Sequence, residues 1–272
     1  MRAAPSSLAD SYEAFYREFD SPLMCQLRRE AYGEDIGQHS WVVADELRRD
    51  IRALGLSPAS RLLDLGCGPC GPLTFVLAAV RCAGTGLDVT PAALRVGHAR
   101  AVTLGVESLI SLQHADMNEP LPLEPHSFDA AMSLDAVLHL RDRSKLYREI
   151  VRVLRPGARF LFTDAGVVTG SVSSEEIRRR SIHGYTAFIA PGRNEMLLES
   201  AGLKLLETEN RTASVVTNAS GRVAAMRAHR RELEQLLGAA EYERQEDYLE
   251  VVVELARREA VSRMMYLAEV PV

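Results

Sequence analysis

Two thiols, three glycines and an acid fall within one short stretch, Asp-Leu-Gly-Cys-Gly-Pro-Cys-Gly at residues 64–71. Cys67 and Cys70 have the two-residue spacing of a dithiol that makes and breaks a disulfide. Gly66 and Gly68 have the character of a turn that lets the backbone approach a ligand with no Cβ in the way. Asp88 closes a second apolar run, 24 positions after Asp64. A carboxylate there accepts from both hydroxyls of a ribose. A nicotinamide dinucleotide fits these glycines and Asp88. Asp64, just ahead of the turn, suits a ligand with an ammonium group at that point, which S-adenosylmethionine carries and a pyrophosphate does not.

The thioredoxin-type motif usually follows a tryptophan, and the one tryptophan, Trp41, lies far upstream. Cys67 and Cys70 are therefore expected to be small residues tolerated in a tight turn. No second CxxC and no Cys/His pair at ligand spacing accompanies them, so no metal site is expected. Further along, Asp135 and His139 stand four apart after an apolar run, a spacing that puts both on one face of a helical turn. A histidine with a nearby acid orients an acceptor or takes its proton.

These residues need a scaffold, and the hydrophobic pattern supplies one. "RLLDLG", "GTGLDVT", "LISLQHAD", "FDAAMSL" and "ARFLFTDAG" read as short strands. "PLTFVLAAV", "PAALRVGHARAVTLG" and "SKLYREIVRVLRPG" read as the helices between them, the second with Thr90 as cap and Pro91 at its first position, the third stopped by Pro-Gly. Strands in near-continuous apolar runs alternating with helices predict a parallel sheet covered on both faces. In such a sheet ligands sit outside the carboxyl ends of the strands, where the glycine turn, Asp88 and Asp135 all fall. Residues 8–54 read as helical, with Ser40 capping the last helix. Beyond residue 170 come helices over 174–182 and "RNEMLLESAG", a sixth strand "LKLLETENRT", two long helices near 220–237 and 241–260, and a last strand "SRMMYLAEVPV".

The chain has 272 residues, 47% hydrophobic and 25% charged, with a net charge of −5. That charge argues against a phosphate backbone as partner. Amino-methylating DNA enzymes carry Asn/Asp-Pro-Pro-aromatic after the fourth strand, where this chain reads "SLDAVLH". No apolar run approaches the roughly 18 residues that span a membrane, and the first residues lack the apolar core of a secretory signal. A cytoplasmic protein with no membrane or nucleic-acid partner is expected. No feature of the sequence sets an oligomeric state.

Residues 61–165 resemble the core of class I S-adenosylmethionine-dependent methyltransferases: "LLDLGCGPCG" their first motif, "GLDVT" the acidic second-strand motif, "HADM" the adenine motif, and "LRPGARFLFTD" the segment after the fourth strand. "YGEDIGQHSW", "SLDAVLHLRDRSKLYREIVRVLRPGARFLFTD", "RRSIHGYTAFIAPGRNEMLLESAGL" and "DYLEVVVELA" are similar to glycine/sarcosine/dimethylglycine N-methyltransferases and to phosphoethanolamine methyltransferases. The resemblance implies an α/β, doubly wound, seven-stranded, mostly parallel Rossmann-like sheet. It implies an N-terminal helical segment over 1–57 covering the cofactor, a core over 58–215, a helical insertion over 216–261, and a last strand over 262–272. S-adenosyl-L-methionine is the implied cofactor, and a small molecule, such as an amine, an amino acid or a natural-product intermediate, is the implied methyl acceptor. C- or O-methylation in secondary metabolism, or a non-methylating use of the cofactor such as cyclisation, is the alternative. A domain that binds the cofactor only as a scaffold is disfavoured by the intact run of Asp64, Gly66, Gly68, Asp88 and Asp116.

On the same resemblance Gly66, Cys67 and Gly68 lie against the methionine part of the cofactor, and Asp64 accepts from its ammonium. Asp88 binds the ribose and Val89 packs on the adenine. Asp116 and the Met117 backbone read the adenine edge. Ser133 and Leu134 close over the methionine end. His139 and Asp135 carry the chemistry, and Tyr16, His39 and His183 face the acceptor. Leu134 stands where dimethylglycine-type enzymes usually have glutamine, so the acceptor's identity is not carried over.

Overall fold

The computed structural model describes Tyr12, residues 15–181 and residues 186–272. Seven strands form one sheet: β1 (Arg61–Leu65), β2 (Ala83–Asp88), β3 (Ile110–His114), β4 (Phe128–Leu134), β5 (Leu154–Val168), β6 (Lys204–Asn210) and β7 (Val261–Glu269). Their order is β3-β2-β1-β4-β5-β7-β6. The pairs from β3 to β5 are parallel, and β7 runs antiparallel to both its neighbours. This is the doubly wound, seven-stranded, mostly parallel sheet expected from the sequence. The order turns at β1 and β4, so a crevice opens beyond their carboxyl ends.

The helices are α1 (Pro22–Tyr32), α2 (Ala44–Leu54), α3 (Gly71–Val80), α4 (Pro91–Thr103), α5 (Arg143–Val153), α6 (Ser174–Arg180), α7 (Arg193–Ser200), α8 (Thr212–Ala228), α9 (Arg230–Leu237) and α10 (Ala239–Arg257). Both sheet faces are covered. One core cluster joins Leu63, Leu65, Tyr147, Phe160 and Phe162. The other joins Leu62, Val76, Leu77, Met132 and Leu161. A third packs α8 and α10 against α1 and Trp41.

Several local readings are corrected. The N-terminal helical run is interrupted, because Gly33 ends α1 at φ 76° and the chain stays irregular to Val43. Ser40 does not cap α2. Val43 holds that place with no side-chain bond, while the Ser40 carbonyl accepts from the Tyr32 hydroxyl at 3.0 Å. Thr90 stands at the cap of α4 but makes no capping side-chain bond. Pro156-Gly157 does not end a helix. α5 stops at Val153, and the pair lies inside β5, where the Gly157 N–H donates to Val270 O at 2.7 Å. The helical segment before β7 starts at Thr212, not near 220, because the Asn210 side chain accepts from the Thr212 N–H at 2.9 Å and turns the strand straight into α8. It holds three helices rather than two.

The irregular segment of residues 33–43 crosses the glycine turn. A Cβ on Gly71 would collide with the Gly37 backbone, so the crossing depends on glycine at this position.

Candidate active site

β1 ends in the turn Gly66-Cys67-Gly68. Gly66 has φ 70° and Gly68 φ 52°, both in the region that favours glycine. A Cβ on Gly66 would come within 2.5 Å of the Ala136 Cβ. The turn is fixed from the next strand: the Gly66 and Cys67 N–H groups donate to Leu87 O at 2.9 and 3.0 Å. The Gly68 N–H donates to Asp88 Oδ2 at 2.8 Å, and Oδ1 of the same carboxylate accepts from the Thr90 N–H at 2.8 Å.

A cavity of about 330 Å³ opens above these strand ends. Asp64, Gly66, Cys67 and Gly68 line its floor, and Asp88 and Val89 one flank. Asp116, Met117 and Leu134 close that end. His139, Tyr16, His39 and Asp135 border the rest. The sequence therefore brought together all but two of its candidates. Ser133 lies behind the wall, fully buried, its hydroxyl donating to Leu65 O at 2.8 Å. His183 lies outside the described residues.

Asp64 is 2% exposed, and burial, with Asp88 nearby, pushes its carboxyl up to about 8. Burial also raises Asp88, against the pull of the Thr90 and Gly68 N–H groups. Asp116 accepts from the Asn118 backbone and side-chain nitrogens through one oxygen, at 2.8 and 2.9 Å. The cysteines are free, with sulfurs 3.6 Å apart. The Cys70 contact, then burial, raises the Cys67 thiol well above its usual range, the opposite of an activated thiolate. A Cβ on Gly97 would collide with the Cys70 sulfur, so this thiol fills space between the turn and α4.

The end of the cavity lined by His139 departs from the sequence reading at Asp135. Asp135 and His139 do not share a helical face. Asp135 has φ 56° and precedes a short 3-10 turn, Val137–His139. Its carboxylate is taken by Arg263 Nε at 2.9 Å, by the Thr163 hydroxyl at 2.8 Å and by the Trp41 N–H at 2.9 Å. It acts as a bracket between the last strand, β5 and the N-terminal segment. Arg263 is fully buried and also donates to Glu46 at 2.7 Å. Beside it Arg211 grips Asp50 through two bonds of 2.9 and 2.7 Å.

His139 Nε2 lies 3.2 Å from the Tyr12 hydroxyl, and the Tyr16 hydroxyl lies 3.0 Å from His39 Nδ1. Burial drives His39 down to about 3, helped by Arg222, His139 and Arg28, so it stays neutral. Burial likewise raises the Tyr12 phenol. Sequence reasoning missed Arg180, Arg222 and Tyr248 in this wall. With 32 basic residues and only two lysines, no single arginine stood out.

A seven-stranded sheet of this order, with its cavity over the first two strand ends, is a Rossmann-like fold. Residues 63–162 match the family model of a methyltransferase domain. Methyltransferase GfsG of Streptomyces halstedii is 31% identical over 160 residues, 57% of this chain and 56% of its own, so the match spans about half of that relative. The 27-O-demethylrifamycin SV methyltransferase of Amycolatopsis mediterranei (strain S699) is 28% identical over 256 residues, 89% of this chain and 90% of its own. Phosphoethanolamine N-methyltransferase 2 of Haemonchus contortus, solved with phosphomonomethylethanolamine and S-adenosylhomocysteine, superposes with a TM-score of 0.81 at 19% identity, covering 98% of this chain and 60% of that one. Among the described residues no cluster of His, Cys, Asp or Glu could hold a metal, and no helix is long and apolar enough to cross a membrane.

Proposed function

We propose that the protein methylates a small molecule, a natural-product intermediate, at a nitrogen or an oxygen, with S-adenosylmethionine as donor. The observation that carries this reading is a single cavity that joins the Asp64, Gly66, Gly68 and Asp88 cradle to a chamber containing His139. The cradle suits the donor. Its glycines leave no Cβ over the turn, Asp88 faces the cavity for the ribose, and Asp116 and Met117 stand at the far end for the adenine. Asp64 is a buried carboxyl facing the cavity with no hydrogen bond among the described residues, and a cationic ammonium would satisfy it. Bound there, S-adenosylmethionine supplies an electrophilic methyl on a sulfonium. The new bond to the acceptor's nitrogen or oxygen forms as the carbon–sulfur bond breaks, and its electron pair stays on sulfur.

The chain's own residues align and dry the site. Tyr12, Tyr16 and His39 roof the chamber from the N-terminal segment, and Trp41 is held in place by Asp135. His139 takes the acceptor's N–H or O–H proton, with the Tyr12 hydroxyl fixing its ring. The near full-length similarity to an enzyme named for a 27-O-demethylrifamycin substrate supports a hydroxyl acceptor from secondary metabolism. A methyl-transfer assay with isotope-labelled S-adenosylmethionine across hydroxylated and amine-bearing intermediates tests the proposal. Label appearing in an acceptor, lost in His139→Ala, is expected. A donor that does not bind at all overturns it.

A further inference from the structure

The loop after β3 and the turn after β4 meet at one side chain. Asn118 lies two residues beyond Asp116, half-buried, and both border the cavity. Its side-chain nitrogen donates to Asp116 Oδ1 at 2.9 Å. Its side-chain oxygen accepts from the Arg141 N–H at 2.9 Å. Only one orientation of this amide satisfies both partners, because a carboxylate accepts and a backbone N–H donates. The residue type matters for the same reason. Aspartate in this place would keep the bond from Arg141 and lose the one to Asp116, and leucine would lose both.

The two partners belong to different parts of the site. Asp116 Oδ1 also accepts from the Asn118 backbone N–H at 2.8 Å, so this oxygen is filled twice. Oδ2 takes no hydrogen bond among the described residues, which leaves one oriented oxygen for a ligand. Arg141 lies two residues past His139, between the turn Val137–His139 and α5, whose start is capped by Asp142. That turn is fixed on its leading side by the bonds of Asp135. In its middle the Ala187 N–H donates to Leu138 O at 2.7 Å. On its trailing side Asn118 ties it to the loop after β3.

We propose, resting on the donor placement above, that Asn118 is a positioning residue that couples the adenine end of the cavity to the turn bearing His139. It presents Asp116 Oδ2 to the amino group of the base and passes that constraint to the Arg141 N–H. An adenine gives the carboxylate a proton to accept. This completes a chain from the base through Asp116 and Asn118 to Arg141, and hydrogen bonds in such a chain strengthen one another. A base with an oxo group at the same ring carbon sets an acceptor against the carboxylate and leaves the chain open. Asn118 therefore selects the base of the donor and steadies the His139 turn when that base is in place.

The test uses the full-length protein and two probes, S-adenosylhomocysteine and S-inosylhomocysteine, which carry an amino and an oxo group at the same ring carbon. Calorimetry gives their affinities, and hydrogen exchange followed by NMR reports the Arg141 amide. Wild-type protein should bind the adenosyl compound about 10- to 100-fold tighter, the range for one charge-assisted bond. The adenosyl compound should slow exchange at the Arg141 amide more than the inosyl compound does. Asn118→Asp, which keeps size and shape, should lose most of the preference while the Arg141 amide stays protected. Asn118→Leu should lose both the preference and the protection. Failure of the wild-type protein to bind the adenosyl compound would overturn the donor placement and the proposal with it. A preference unchanged in both variants, or equal slowing of Arg141 exchange by the two probes, would overturn the coupling and leave the donor placement standing.

Discussion

Donor binding should release a proton, and Asp64 should be its source. The carboxyl is buried and stands at about 8, raised first by desolvation and then by Asp88. At pH 7 a group of that pKa is about nine-tenths protonated. An ammonium drawn against it stabilises the carboxylate, so the bound state has the lower pKa. The sign follows: the free protein holds more protons than the complex, and affinity rises with pH below the free value. If the bound pKa falls well under 6, affinity should climb about ninefold between pH 6 and 7, and about 0.9 protons should leave per donor bound at pH 7. Calorimetry in two buffers of different ionisation enthalpy counts those protons. Asp64→Asn, which has nothing to release, should show a count near zero and a flat profile over the same interval. A wild-type protein that releases no proton, or an asparagine variant that releases as many, would rule out Asp64 as the source.

Other consequences follow from the geometry. His139→Ala should lose about 10²–10⁴-fold in methyl-transfer rate, the usual span for general acid–base help, while a titration shows donor affinity unchanged. Cys67→Ser with Cys70→Ser should keep donor affinity within a few-fold and shift chemical denaturation by about 1–3 kcal/mol, because two buried hydroxyls replace two thiols. Activity that follows reversible thiol oxidation would contradict the packing role. Arg263→Met leaves Asp135 and Glu46 buried without their partner, and should destabilise the fold by about 3–5 kcal/mol in a denaturant titration. A variant as stable as wild type would show that the bracket around Trp41 does not depend on this charge.

The parts of the site legible in the sequence are those carried by neighbours in the chain. Asp64, Gly66 and Gly68 lie on one strand and its turn, and an apolar run followed by glycines announces both. Asp88 was legible because strands alternate with helices and the end of the second lies beside the first, as the Gly68 N–H bond to its carboxylate shows. Asp135 was misread because its partner, Arg263, is 128 positions away, and no local pattern brings β7 beside β5 at that register. Arg180 and Arg222 carry no local signal either: only the fold brings them to the cavity wall. Pro156-Gly157 shows the same limit in secondary structure, since the pairing of β5 with β7 overrides a helix-stop signal that is reasonable by itself.

We infer that the cavity over β1 and β2 holds S-adenosylmethionine through Asp88. An equilibrium titration of S-adenosylmethionine against wild-type protein and Asp88→Ala, with circular dichroism to confirm that both are folded, tests it most directly. Removing an acceptor of charge-assisted bonds worth roughly 1.5–3 kcal/mol each predicts at least about tenfold weaker binding in the variant. Equal affinity in the two folded proteins would contradict the placement of the ribose at Asp88, and with it the reading of the site.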